Sequence, residues 1–226
     1  MDWNLAISRN RDALRRIVAA LFVMIGSNGA GKMPRHVYAA IMLILRPAES
    51  AVRRLIVIAA RGLALSPRAL RPLPAGLAGF GLADASKTPS FCLFDPLKHF
   101  VLDDYDNNAL PRFSFAGLSD DEHNTPHFSQ PDVPVDAAHL FTRLRALRSA
   151  LNDLPLQARR LARWQARQIL ALKSNTPYRP MRISPFRPGP PPGYRRKDIH
   201  QVDAVLKDLH NFAVEAFRWK PGDSCL

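Results

Sequence analysis

The side chains most able to do chemistry gather in one short turn. Gly26-Ser-Asn-Gly-Ala-Gly31-Lys32 has the spacing G-x-x-x-x-G-K. In a phosphate-binding loop of that spacing, backbone N–H groups cradle phosphate, the lysine neutralises it, and a following Ser or Thr holds magnesium. Here Met33 follows, then Pro34, and a thioether does not ligate a hard cation. Phosphoryl transfer also needs an acid at the end of a later apolar strand. The best candidate run, 55–60, ends in Arg61. The turn therefore reads as a Gly/Asn connection closed by a basic residue.

Other clusters fail in the same way. Asp104-Tyr-Asp106-Asn-Asn108 opens like a calcium loop, but Ala109 stands at the sixth position, where Gly is needed, and Phe115 at the twelfth, where Glu is needed. Glu122, His123 and His127 are near in sequence. Pro126 prevents the helix that would put both histidines on one face, and spacing supplies no third ligand. His36, His99, His139, His200 and His210 are scattered, so no Ser/His/Asp or Cys/His set can be assigned; His200 and His210 read as surface or boundary residues of a helix. Cys92 and Cys225 form no disulfide framework and fit a reducing compartment. Cys225 is second from the end, not fourth, so it makes no prenylation box. The expectation is a non-enzyme with no catalytic residue, no cofactor and no metal.

Arginine offers a different chemistry. Arg143, Arg145, Arg148, Arg159, Arg160, Arg163 and Arg167, with Trp164, supply cations and one aromatic ring. Such a set can grip phosphate backbones and stack on bases. No nucleic-acid motif accompanies it, and the arginines do not share one face. The plainer reading is a helix face solvated by arginine.

The elements that would position these residues follow from periodicity and proline. Residues 1–16 read as an amphipathic helix, with Trp3, Ile7, Leu14, Ile17 and Val18 on its stripe. Residues 17–25 and 36–45 are apolar on every side. Each is too short for a bilayer core of about 30 Å, at about 1.5 Å per helical residue. Pro47 predicts an end or kink at Leu45–Arg46, with a new helix over 48–61 and Gly62 as its C-terminal cap. Residues 1–62 should thus form two or three short helices.

Nine prolines between 63 and 135 exclude long helices or central strands there. The islands Phe91–Pro96, His99–Leu102 and Phe113–Phe115 are expected to dock as extended pieces on the helices. Asp136 should cap a helix striped by Leu140, Leu144, Leu147 and Leu151. Asp153 and Pro155 should open a second, running to about Lys173, with Ala158, Leu161, Ala162, Ile169 and Leu172 on its apolar side. Together they read as a helical hairpin. The proline-rich segment 174–197 reads as a stiff linker or polyproline ligand. Asp198 should then cap a final helix with Ile199, Val202, Val205, Leu206, Leu209, Phe212, Ala213 and Phe217 on its apolar face.

Charge divides at the same points: net +7 over 1–62, −4 over 63–135 and +10 over 136–226. Excess cation suggests an anionic partner. The stretches MDWNLAISRNRDAL, MPRHVYAAIMLILRPAESAVRRLIVIAARGL and HQVDAVLKDLHNFAVEAF resemble a family of uncharacterised bacterial hypothetical proteins. That resemblance implies a bacterial source and no particular function. The letters GSNGAGK look like the phosphate loop of ABC-type ATPases, but no signature sequence of that family is present.

The sequence therefore predicts an all-α protein with three parts: an apolar, basic helical region at 1–62, a proline-rich acidic irregular segment at 63–135, and a helical bundle at 136–219 with a linker at 174–197. The expected role is non-enzymatic, either scaffolding or attachment to a membrane surface. The alternative is non-specific nucleic-acid binding through the arginine-rich helices. The expected partners are an anionic membrane surface or another protein, with nucleic acid as runner-up, in the cytoplasm at the inner face of the membrane. The apolar runs of 1–62 would lie either among anionic headgroups or in a core shared with the C-terminal helices.

Overall fold

The computed structural model describes residues 3–26, 31–63, 65, 89–96, 134–173 and 184–218. The chain is all-α, with five helices among these residues: α1 (Trp3–Ile25), α2 (Arg35–Ala60), α3 (Ala138–Asn152), α4 (Leu154–Lys173) and α5 (Gln201–Arg218). One two-stranded antiparallel ribbon joins β1 (Lys32–Met33) to β2 (Val135–Asp136), with Lys32 opposite Asp136 and Met33 opposite Val135.

The apolar runs are explained by where α2 lies. It packs against all four other helices. Every residue from Pro47 to Ile58 is buried, so this half of the helix has no solvent face and needs no amphipathic pattern. Ile17, Val18, Leu21 and Ile25 of α1 enter the same core, as do Leu140, Leu144, Leu147 and Leu151 of α3 and Val202, Leu206 and Leu209 of α5. No described helix is long and apolar enough to cross a membrane.

The first 62 residues hold two helices among those described, within the expected number, but they are long rather than short, and the expected end before Pro47 is corrected. The amphipathic and all-apolar stretches of α1 form one helix of 23 residues, and α2 is one helix of 26 residues that continues through Pro47. An interior proline cannot donate to the carbonyl four residues earlier, and commonly costs about 3 kcal/mol. Here that carbonyl, on Leu43, accepts instead from Arg195 Nη2 at 2.8 Å. Gly193 sits directly on the proline, with positive φ; a Cβ there would lie 2.6 Å from the Pro47 nitrogen. The segment expected as a linker is therefore, over 184–200, a strap packed on α2. Residues 174–183 lie outside the described residues.

The α3–α4 hairpin forms as expected, and Asp153 Oδ1 accepts from the Leu156 N–H at 3.2 Å. Asp136 accepts from the Ala138 N–H at 2.9 Å while standing in β2, one position before the residue at the helix boundary, Ala137. Gly62 closes α2 with φ of 76°. Phe91–Asp95 docks as an extended piece, with Phe91, Leu93 and Asp95 buried and Cys92 exposed between them. The islands at 99–102 and 113–115 lie outside the described residues.

Two further expectations fail. α5 starts at Gln201, and the N–H groups just ahead of it, at Ile199 and His200, donate to Asp203, not to Asp198, which pairs with Lys207. Ile199 is accordingly 68% exposed. On α4, Ala158, Leu161 and Ala162 are buried, but Ile169 and Leu170 face solvent at 54%, because the packed length of α4 ends before them.

Candidate functional site

α2 carries two sets of polar side chains, one inside the protein and one outside. The inner set begins with Arg54, which is 1% exposed. Such a cation must be paired and fully hydrogen-bonded. Its Nη2 meets Asp95 Oδ2 at 2.9 Å, its Nη1 donates to Ser50 O and Oγ at 2.9 and 2.7 Å, and its Nε donates to His210 Nδ1 at 3.2 Å. The Phe186 ring lies 5.1 Å from the guanidinium carbon. Burial draws the Arg54 pKa below the ordinary arginine value, and Asp95 opposes the shift.

Asp95 is wholly buried and ties three chain segments together. Its carboxylate meets Arg54 and, at 3.5 Å, Arg53. Its N–H donates to Pro185 O at 3.0 Å. The extended piece and the strap are thus held on α2 by one acid. Arg53 also donates to Cys92 O at 3.1 Å. One turn away, Glu49 accepts a bidentate pair from Arg143 at 2.9 Å each and meets Arg53 at 3.6 Å. The hydrogen bonds to Glu49 raise the Arg143 pKa. His210 is held below its usual pKa, first by burial and then by Arg54. Within this network the arginine donors meet acceptors.

The outer set lines a cleft of about 700 Å³. Arg35, Tyr38, Ala39, Met42, Leu43 and Arg46 line it from α2. Their spacing of three or four residues puts them on one helical face. Val135 of β2 forms one wall, and Gly193, Tyr194 and Arg195 of the strap form another. Among the described residues no acid lines the cleft. Arg195 is fixed by the Leu43 carbonyl and by Asp203 at 3.3 Å. Arg35 and Arg46 are exposed and have no ion pair or hydrogen bond among the described residues. Arg35 also stands in the first turn of α2, which carries no acid. A cation there opposes the helix dipole.

The motifs read from the sequence fall elsewhere. Lys32 is exposed in β1, and Met33, in the place of the magnesium ligand, points into the core; residues 27–30 of the turn lie outside the described residues. So do Asp104–Asn108, Glu122, His123 and His127. Among the described residues no three His, Cys, Asp or Glu side chains converge as a metal site. The arginine cluster separates: Arg143 turns inward to Glu49, Arg160 is half-buried beside Gln157, and Arg145, Arg148, Arg159, Arg163 and Arg167 are exposed. Trp164 packs on Phe94, with ring centroids 4.9 Å apart. The stripe at 35, 38, 39, 42, 43 and 46 was present in the sequence but was absorbed into an apolar run. Comparison of the chain with protein-family models, with curated proteins and with solved structures returns no match.

Proposed function

We infer that this chain is a non-enzymatic scaffolding protein, a helical core that presents unmatched arginines to an anionic partner. One observation carries the reading: arginines are sorted by burial. Arg53, Arg54 and Arg143 are matched to Asp95 and Glu49, whereas Arg35 and Arg46 project from the same α2 with no carboxylate among the described residues. The net charge of +13 raises the local concentration of anions around that surface. The test is titration of the full chain with polyglutamate, anionic vesicles and an oligonucleotide at several salt concentrations. At least one should bind saturably and weaken as salt rises. If none binds at low salt, the reading is wrong.

A specific observation favours nucleic acid as a second reading. Arg159, Arg163 and Arg167 repeat every four residues on α4 and are all exposed, which makes a line of cations suited to a phosphate backbone. Base stacking finds no support at Trp164, whose ring is engaged by Phe94. Such binding would be insensitive to sequence. Membrane attachment has a smaller basis, in Val23 and Met24, which are 79% and 42% exposed on the outer side of α1. The vesicle arm of the titration tests it.

A further inference from the structure

We propose that the cleft between α2 and the strap is a docking groove for an extended peptide segment of a partner protein, with acidic residues four positions apart and apolar residues between them. The inference rests on the scaffolding reading and names the partner's chemistry.

The groove has a polarity pattern along its length. Arg35 and Arg46 stand at its ends, eleven residues apart on one helix face, hence about 16 Å along the axis. Between them the floor is Tyr38, Ala39, Met42 and Leu43, with Leu43 53% exposed. A ligand that fits must place anions near both ends and apolar groups in the middle. An extended peptide advances about 3.3 Å per residue and turns every second side chain to the same face, so acids at its first and fifth positions face the groove together and span about 13 Å, and the flexible arginine side chains close the remaining distance. A lipid headgroup concentrates its charge at one end. A single strand of nucleic acid repeats its charge at every nucleotide and has no uncharged apolar span of this length. Charge complementarity is one-sided, because the groove supplies two unpaired arginines, a third held by Asp203, and no acid among the described residues.

The groove is also prebuilt. Arg195 is held at the wall by Asp203 and by the carbonyl that Pro47 leaves free. Gly193 brings the strap into contact with Pro47. The wall is therefore in place before a ligand arrives, which lowers the ordering cost of binding.

The test uses the full chain and a fluorescent, end-blocked hexapeptide with acids at positions one and five and apolar residues elsewhere. Fluorescence anisotropy at low salt should show saturable binding. Arg35→Glu and Arg46→Glu should each weaken it at least tenfold, while thermal unfolding confirms that both variants fold. A peptide of the same composition with its acids adjacent should bind at least fivefold more weakly. Equal binding of the two peptides, or no effect of either variant, overturns the proposal. Vesicles of mixed neutral and anionic lipid and a single-stranded oligonucleotide are run beside the peptides. If they bind and the hexapeptide does not, the groove assignment falls while the anionic-partner reading stands. If nothing anionic binds, both fall.

Discussion

The two halves of α2 carry the same residue type to opposite ends. In the buried half, Arg53 and Arg54 are enclosed by Asp95, Glu49, Ser50 and His210, and two distant segments are recruited to supply those partners. In the outer half, Arg35 and Arg46 have no such partners among the described residues. The difference teaches that a cation's cost is set by its access to water. A guanidinium removed from water must be matched atom by atom; one left in water needs no match and stays available for a partner. The buried half of α2 is thus committed to the fold, and the outer half is open to binding.

The sharpest way to break this comparison is to remove the acid that matches the buried half. Asp95→Ala leaves Arg54 buried without its counter-charge and should cost about 3–5 kcal/mol, read as a drop in the urea midpoint. A loss below 1 kcal/mol would mean that water reaches Arg54 and that the two halves do not differ. Next comes the strap. Gly193→Ala forces a side chain into a left-handed backbone and against Pro47, and should cost about 2–4 kcal/mol in the same assay.

A third test uses pH. Because the fold depresses the His210 pKa below its usual 6.5, the unfolded chain binds the proton more readily than the folded one. Stability should therefore be intact above pH 6.5 and fall as pH drops through the interval below it. The charges facing His210 are Arg54, which resists protonation, and Asp95, which favours it. His210→Gln should flatten that part of the profile of unfolding temperature against pH. An unchanged slope would remove His210 from the network. The smallest effect is expected in the outer half, where Arg46→Ala should shift stability by no more than about 0.5 kcal/mol. A larger loss would place Arg46 in the fold and blur the comparison.

Local signals made much of the architecture legible. Asp153 and Pro155 mark the start of α4, Gly62 ends α2, and the alternating Phe91–Asp95 stretch docks as an extended piece. What was not legible depends on partners remote in the chain. Pro47 reads as a break because the donor that replaces its N–H lies on Arg195, 152 residues beyond Leu43. Asp198 reads as a cap because nothing local shows that Asp203 reaches back to the same N–H groups. Ile169 fits a helical stripe, but a stripe does not say where packing stops. The groove was hidden for a related reason. Its floor is a sequence of apolar residues at core-like spacing, and only the position of the strap decides that Leu43 faces outward.

The bond between Arg195 and the Leu43 carbonyl also sets an order of events during synthesis. Leu43 leaves the ribosome 152 residues before the side chain that completes its helix, which at ordinary elongation rates is about 8–30 s. Through that interval the Leu43 carbonyl beside Pro47 has water in place of the Arg195 donor. The long central helix therefore gains this bond only late in synthesis, although all of its own residues are made early.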